Sequence, residues 1–467
     1  MTPTTRQGHK RRPSAKVRAL LAVAALLLGG GGTALVAANA SAGGTHRPAG
    51  NSSADHAADP AMMMTIACPD VGDQLQDVPD PARQRVSEGL AELDAQVARA
   101  YEQASAPGGD SDAVLGTLKQ QRSSTIGRMA DAIGEQSKRP SQLTALSGCT
   151  ARQVRTADAA APAGSGTTAA LQRPMPGGPS PSDFADIRTA PAKQKPAVGS
   201  GGSAGTFTSS CGRNENGHFN SDNVIVTPGV SNGAHHTHDY VGNLSTNAFS
   251  SNASLAAAGT TCTNGDLSTH YWPVLRLLDG KAAPDANAPG GGHDGNMGKV
   301  LRPASVTIQF RGSPVSKVAP MPRFLRIITG DAKAFTSGPG NANASWSCVG
   351  FEDRQLKDKY PICPGGSDVV RTLAFQSCWD GRSIDSANHR THVAFAGRDG
   401  SCPRGFKAVP QLVQRITYHV PAGTPFAVDS FPEQLHKPVT DHGDFINVMP
   451  DALMTKAVSC VNGGRRC

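Results

Sequence analysis

The chain has 467 residues, of which 38% are hydrophobic and 18% charged, and its formal net charge at pH 7 is +8. Residues 1–40 contain six basic side chains and no acidic ones, so without them the net charge falls from +8 to +2. This small excess does not supply the broad basic face that nucleic-acid binding requires, and we exclude a nucleic-acid partner.

The first 40 residues have the organisation of a secretory signal peptide. Basic residues cluster between His9 and Arg18, an apolar run follows from Ala19 to Leu28, and Ala38-Asn39-Ala40 provides a small-x-small cleavage site. The apolar run has about ten residues, whereas a membrane span needs about twenty. The sequence therefore predicts a secreted protein with no stable membrane span after cleavage.

All ten cysteines lie beyond this signal. An even number of cysteines in an exported chain, without a C-x-x-C pair, predicts up to five disulfides rather than a thiolate metal site. The cysteines are Cys68, Cys149, Cys211, Cys262, Cys348, Cys363, Cys378, Cys402, Cys460 and Cys467.

The sequence of the N-terminal half predicts three regions that differ in structure. Residues 41–64 are small and polar, which indicates disorder. Residues 65–150 show apolar side chains at helical spacing, interrupted by Ala106-Pro107-Gly108-Gly109-Asp110, and predict a helical hairpin that Cys68 and Cys149 could close. Residues 151–210 are rich in Ala, Pro, Gly and Ser, and predict a linker between two tethered modules.

Residues 211–467 are expected to form the principal domain, because 19 of the 22 aromatic residues and 11 of the 14 histidines fall there. Short β-branched and aromatic runs bounded by turn residues predict a β-rich fold, a sandwich or a jelly-roll with long loops held by disulfides. The predicted strands are 224–226, 306–310, 324–328, 369–375 and 412–420.

The densest chemical signal is Gly233-Ala234-His235-His236-Thr237-His238-Asp239-Tyr240. In an extended segment His236 and His238 point to one face and His235 to the other, because side chains alternate. Two imidazoles on one face can share a divalent metal such as zinc, with a third ligand from His392, His442 or Asp444. Of these candidate sets, the sequence prediction takes His236, His238 and His392 as the metal ligands.

Later motifs continue along this domain in a fixed order. They include Asp266-Leu267-Ser268, Tyr271-Trp272, Ser377-Cys378-Trp379-Asp380-Gly381, His392-Val393-Ala394-Phe395 and His442-Gly443-Asp444-Phe445. Together with the His236-x-His238-Asp239 segment, they closely resemble the secreted family known as domain of unknown function nineteen-ninety-six, in its actinobacterial form, over about Cys211–Cys460. The resemblance implies an extracellular, disulfide-bonded domain of undefined activity. Fungal members occur beside carbohydrate-binding and cell-wall modules, which points to a polysaccharide or cell-wall glycan as partner.

The same polar groups also suit catalysis on a polysaccharide without a metal. A histidine and a tyrosine could move a proton in a lyase, or two carboxylates could act as acid and base in a glycoside hydrolase. The candidate catalytic residues are His236, His238, Asp239, Asp266, Tyr271, His392, His442 and Asp444, and the candidate substrate-binding residues are Tyr240, Trp272, Trp379 and Asp380. The structural alternative for Trp379 is a position in the core. For Asp266 and Asp380 it is a role in forming a turn.

Two functions follow from these residues. The first is a secreted enzyme, a hydrolase or lyase, that acts on an extracellular or cell-wall polysaccharide through a cleft rich in histidine and aspartate. The second is a non-catalytic glycan-binding or adhesion module in which the same groups bind a sugar or hold a structural ion. Several histidines and acids together favour the enzyme.

Overall fold

The computed structural model describes residues 62–155, 178–193, 197–281 and 283–467. The expected signal peptide, nearly all of the segment expected to be disordered, and part of the expected linker lie outside these residues. Within the described ranges, no helix is both long enough and apolar enough to cross a membrane.

The helices are concentrated in the N-terminal part of the described chain. The α-helices are α1 (Arg83–Ser105), α2 (Ser111–Gly134), α3 (Asn252–Ala257), α4 (Ala334–Ser337) and α5 (Asp451–Asn462).

Strands dominate the rest. They are β1 (Met62–Ala67), β2 (Thr150–Arg155), β3 (Phe184–Asp186), β4 (Thr206–Ser209), β5 (Phe219–Asn220), β6 (His238–Gly242), β7 (Thr269–Pro273), β8 (Leu275–Leu277), β9 (Lys299–Leu301), β10 (Ser305–Arg311), β11 (Arg326–Gly330), β12 (Ser345–Cys348), β13 (Tyr360–Ile362), β14 (Val369–Ala374), β15 (Cys378–Trp379), β16 (Val393–Ala394), β17 (Lys407–Ala408), β18 (Gln411–Tyr418), β19 (Phe426–Val428) and β20 (His442–Ile446). The prediction of a mainly β domain is confirmed.

Two five-stranded antiparallel sheets form the centre of the domain, with strand orders β12-β14-β18-β10-β4 and β11-β20-β7-β6-β5. One buried apolar cluster takes side chains from both sheets, among them Phe310 and Leu412 from the first sheet and Trp272 and Phe445 from the second. Since both inner faces contribute to this core, the two sheets pack as a sandwich. We call the side of the second sheet that faces away from this core its outer face.

The helical hairpin forms as the sequence predicts. The turn after α1 ends at Asp110, whose side chain accepts hydrogen bonds from the backbone N–H groups of Asp112 and Ala113 and caps α2. Strand β1 pairs with β2, and the disulfide Cys68–Cys149 joins the two ends of the hairpin. We call residues 62–155 the N-terminal segment.

Two parts of the sequence prediction differ from the structure. Residues 224–226 form a turn and not a strand, because the side chain of Asn223 accepts hydrogen bonds from the N–H groups of Ile225 and Val226. Residues 206–209, which fall in the expected linker, form β4, an edge strand of the first large sheet. The N-terminal segment also contacts the β-domain directly, so the two are packed together and not only tethered.

Five disulfides account for all ten cysteines, as the even count predicts. The four in the β-domain close loops of 51 residues or fewer, joining Cys211–Cys262, Cys348–Cys363, Cys378–Cys402 and Cys460–Cys467. None of the five links the N-terminal segment to the rest of the protein, so only the polypeptide between residues 155 and 178 connects the two covalently.

A buried carboxyl group lies where the β-domain meets the N-terminal segment. The Thr65 hydroxyl donates a hydrogen bond to the backbone carbonyl oxygen of Glu433. The side-chain Oε2 atom of Glu433 has no hydrogen-bond partner among the residues described. Burial raises the pKa of Glu433 from 4.5 to about 7. The folded protein therefore holds this proton between about pH 4.5 and 7, where the unfolded chain releases it, so stability declines as pH rises through that window.

We expect Glu433→Gln to raise the thermal midpoint at pH 8 and to change it little at pH 5. The gain at pH 8 should reach at most about 3.5 kcal/mol, because each pKa unit corresponds to about 1.4 kcal/mol. Circular dichroism melts at both pH values measure it. Glu102→Gln, an exposed position on α1, is the matched control and should shift neither midpoint. A gain of the same size at pH 5 would contradict the burial argument.

Candidate functional site

The candidate site lies on the outer face of the second sheet. Strand register places Tyr240 opposite Tyr271 and Tyr271 opposite Asp444. His238 and His442 lie two residues from Tyr240 and Asp444 along their strands, so all five side chains project from the same face. Three strands that are far apart in sequence thus bring their polar side chains to one place.

The imidazoles of His236, His238 and His442 converge through their Nε2 atoms. The Nε2 atom of His236 lies 3.1 Å from that of His238 and 3.2 Å from that of His442. One ring nitrogen from each of the three residues lies within 4.8 Å of the other two. Each residue is at most 3% exposed. We call these residues the histidine trio.

Backbone carbonyls set the tautomers of two members of the trio. The Nδ1–H of His238 donates to the carbonyl oxygen of Asp222 at 3.1 Å, and that of His442 donates to Thr440 at 3.0 Å. A neutral imidazole carries one N–H, so in both rings the Nε2 atom is left with its lone pair. These lone pairs are directed into the centre of the trio.

Burial keeps the trio uncharged. Desolvation, reinforced by the neighbouring imidazoles, lowers the pKa of His236 and His238 well below 6.5. Desolvation also lowers the pKa of His442 to about 4. Neutral imidazole is the form that ligates metals, so the trio is in its ligating form at neutral pH.

The spacing of the trio fits a metal centre. Two nitrogen ligands held about 2.05 Å from a tetrahedral zinc ion are roughly 3.3 Å apart. The two Nε2 separations of 3.1 and 3.2 Å match this value. Hydrogen bonds from the Nδ1 atoms to carbonyls are the usual way in which proteins orient such ligands. Three histidines would leave a fourth position for water or substrate.

Asp444 and Tyr271 extend the site along the sheet. Both carboxylate oxygens of Asp444, and the hydroxyl of Tyr271, are buried without a hydrogen-bond partner in the described part of the chain. Burial raises the pKa of Asp444 to about 8. The ring of Tyr271 stacks on Tyr240 at 4.9 Å and meets His238 edge-on at 5.1 Å. Buried polar groups normally find partners, so these two are candidates for contacting a ligand.

A small cleft with a volume of about 90 Å³ reaches the site. His442, Asp444 and Ile328 line it on the side of the sheet, and Leu90 and Asp94 of α1 line it on the opposite side. Clefts that bind small molecules measure about 300–1,000 Å³, so this cleft is much smaller than a typical binding site. The N-terminal segment forms one of its walls.

The structure places His392 apart from the trio. Its Nε2–H donates to the carbonyl oxygen of Arg326 at 2.7 Å, and its Nδ1 lies 2.9 Å from the hydroxyl of Ser386. Both ring nitrogens therefore have protein partners. His442 lies within ligand distance of His236 and His238, where the sequence prediction placed His392.

His235 turns away from the trio, as the alternation of side chains predicts. Its backbone has a left-handed conformation, with φ of 53°, and its Nδ1 contacts the Asp294 carboxylate at 2.8 Å. This ion pair raises the pKa of His235 although desolvation opposes it.

The remaining acidic candidates have structural contacts. Asp239 projects from the inner face of the second sheet and accepts a hydrogen bond from Asn214 at 2.7 Å. Asp266 accepts from the Ser209 hydroxyl and from the N–H of Ser268. Neither contributes to the wall of the cleft.

The aromatic candidates for substrate binding do not line the cleft either, including Tyr240, which is buried and donates its hydroxyl to Asn220 Oδ1. Trp272 is fully buried in the core between the two sheets. Trp379 packs against the same core and donates its indole N–H to the carbonyl oxygen of Ser383. Asp380 accepts from the N–H groups of Arg382 and Ser383, which is the turn-forming role.

The sequence prediction did not include two basic residues that line the cleft, Lys333 and Arg390. Lys333 follows β11 and belongs to no motif, whereas Arg390 precedes β16 and lies in the motif of His392 without having been named as a site residue. Their position in the cleft depends on how the loops pack, for which the sequence carried no signal.

Comparison with known families agrees with the motif order. Residues 223–448 match the family model described as Domain of unknown function (DUF1996). This chain carries a DUF1996 domain. The resemblance drawn from the motifs is thereby confirmed, and no curated protein or solved structure shows a significant match. The DUF1996 range contains the whole histidine trio, Tyr271 and Asp444, whereas the N-terminal segment lies outside it.

Proposed function

We propose that this DUF1996 domain is an exported, metal-dependent enzyme that hydrolyses an extracellular or cell-wall polysaccharide. The observation that carries the proposal is the convergence of three neutral, buried imidazoles, in which His236 Nε2 lies from each of the other two Nε2 atoms at the spacing of ligands on a tetrahedral zinc ion. The five disulfides fit an extracellular protein. The polysaccharide assignment draws on the family's occurrence beside carbohydrate-binding modules.

In this proposal the residues of the site have distinct roles. His236, His238 and His442 would hold the metal ion, which would lower the pKa of a bound water toward neutrality. Asp444 lies beside the trio with two unpartnered oxygens, and because its raised pKa keeps it protonated near neutral pH, it would donate that proton to the leaving-group oxygen of the substrate. The Tyr271 hydroxyl donates a hydrogen bond to substrate. A carboxyl group near the metal favours hydrolysis over the lyase reaction that the sequence left open.

Reducing-end release from a panel of glucans, chitin, mannans and uronic-acid polymers tests this function. We expect the zinc-loaded protein to release product from at least one polymer, and Asp444→Asn to lower the rate by about 10²–10⁴ without loss of folding. Asp380→Asn is the matched control, because Asp380 caps a turn away from the cleft. Unchanged product release by Asp444→Asn would refute the role of Asp444.

A second function is favoured by the burial of the trio. The residues of the trio are at most 3% exposed, so an ion that they hold would be shielded from solvent, as a structural ion is. In that case the domain would be a glycan-binding or adhesion module stabilised by its metal. Metal binding together with polymer retention, and no product from any polymer, would favour this module over the enzyme.

A further inference from the structure

The N-terminal segment covers the cleft that leads to the histidine trio. Asp70, Gly72 and Asp73 of the segment, together with Leu90 and Asp94 of α1, line the same cleft as His442 and Asp444. The DUF1996 range begins only at residue 223, so the cover is not part of that domain. A ligand approaching the trio through the cleft would have to share space with the segment.

Three ion pairs cross the contact at the cleft. The ammonium group of Lys333 lies 3.1 Å from the carboxylate of Asp70 and 2.8 Å from that of Asp94. The guanidinium of Arg390 lies 3.5 Å from Asp73. Each basic group belongs to the β-domain and each carboxylate to the segment. Ion pairs depend on charge, so another anion can take the place of the carboxylate.

The two basic groups lie close to the metal-binding residues. The ammonium group of Lys333 lies 5.6 Å from the ring centre of Phe431, and that ring contacts His236 at 5.4 Å between centres. On the β-domain side, Asp331 is the other acidic residue of the cleft besides Asp444, and its carboxylate accepts from the backbone N–H of Lys333. Without the segment, Lys333 and Arg390 would face the cleft without their carboxylate partners.

We infer that the N-terminal segment is an internal inhibitor, and that its carboxylates occupy the positions where Lys333 and Arg390 bind anionic groups of the substrate. This inference rests on the proposed function and specifies its substrate class as a polymer that carries carboxylate or phosphate groups. Because no disulfide joins the segment to the rest of the protein, one cut between Arg155 and Gly178 leaves it held by non-covalent contacts alone, from which it can dissociate.

The test uses the full chain with a specific protease site inserted between Arg155 and Gly178. Binding of polygalacturonate, poly(glycerol phosphate) and neutral dextran is measured before and after cutting. We expect cutting to strengthen the binding of at least one polyanion roughly tenfold, with no change for dextran. The released segment, added back, should compete with the polyanion. The two polymers distinguish a carboxylate from a phosphate ligand.

Variants identify the groups responsible. In the cut protein, Lys333→Gln and Arg390→Gln should each weaken polyanion binding roughly tenfold. Arg415→Gln, whose ion pair with Glu352 lies on the other large sheet, is the matched control and should bind like the parent. Equal binding before and after cutting, or a gain for dextran as large as for the polyanions, would overturn the inference.

The proposed metal site can be tested independently of the proposed inhibitor. His238→Ala should lose the metal but keep the gain in polyanion binding after cutting. A gain in polyanion binding without metal binding or activity contradicts only the proposed enzyme, whereas metal binding and activity without that gain contradict only the inhibitor.

Discussion

Replacing His238 with alanine should abolish stoichiometric zinc binding. The wild-type protein should retain about one ion per chain after dialysis, because three neutral imidazoles converge at ligand spacing. Removing a residue that only hydrogen-bonds to a metal ligand lowers metal affinity about 10- to 100-fold. Removing a ligand itself should therefore lower the affinity by more than about 100-fold. Elemental analysis and titration against a chromophoric chelator measure the loss.

Two other histidines are controls. His419→Ala changes a side chain that is 75% exposed and should keep the metal. His392→Ala removes a ring whose nitrogens contact Ser386 and Arg326, and should also keep it. His442→Ala should behave like His238→Ala. Loss of zinc in His392→Ala but not in His442→Ala would restore the ligand set predicted from sequence and contradict the structure.

The metal should also stabilise the fold. An ion present at 1,000 times its dissociation constant stabilises a protein by about 4 kcal/mol. We therefore expect added zinc to raise the thermal midpoint of the wild-type protein and of His419→Ala, but not that of His238→Ala.

Replacing Arg371 with methionine should cause the largest loss of stability. Arg371 and Asp441 are both fully buried and form a two-pronged ion pair, and Arg371 also donates to the carbonyl oxygen of Pro273 at 2.7 Å. Its guanidinium lies 5.5 Å from the ring centre of Trp346. Removing one partner of such a pair leaves a buried charge and costs about 3–5 kcal/mol.

Urea unfolding of the oxidised protein measures this cost. Arg415→Met breaks a partly exposed ion pair with Glu352 and should cost less than about 1 kcal/mol. Adding Asp441→Asn to Arg371→Met should recover part of the loss, because it removes the uncompensated carboxylate. If Arg371→Met costs no more than Arg415→Met, the buried pair does not stabilise the fold as described. Because Asp441 directly precedes His442, Arg371→Met should also weaken zinc binding.

Local sequence patterns predicted the local features of this protein. The helical hairpin follows from apolar spacing and from the Pro107-Gly108-Gly109 break, and its closure by Cys68 and Cys149 follows from their flanking positions. Four of the five predicted strands overlap an observed strand, because β-branched runs bounded by turn residues carry enough local information. The fifth failed because Asn223 forms a competing turn.

Within the site, the sequence predicted the relative orientation of residues that are close together along the chain. His236 and His238 lie two residues apart and face the same side, as the period of an extended segment requires. The third histidine is 206 residues away from His236. Choosing His442 over His392 depended on which strands are adjacent, and strand order is not encoded in local periodicity.

The alternation of side chains and the turn chemistry are local properties, so the sequence alone determined the β-rich class, the hairpin and the shared face of His236 and His238. Tertiary structure decided the order β20-β7-β6, which unites the trio with Asp444 and Tyr271. It also placed the N-terminal segment over the cleft. These arrangements arise from contacts between residues distant in sequence, whose free energy depends on the packed shape of the whole domain.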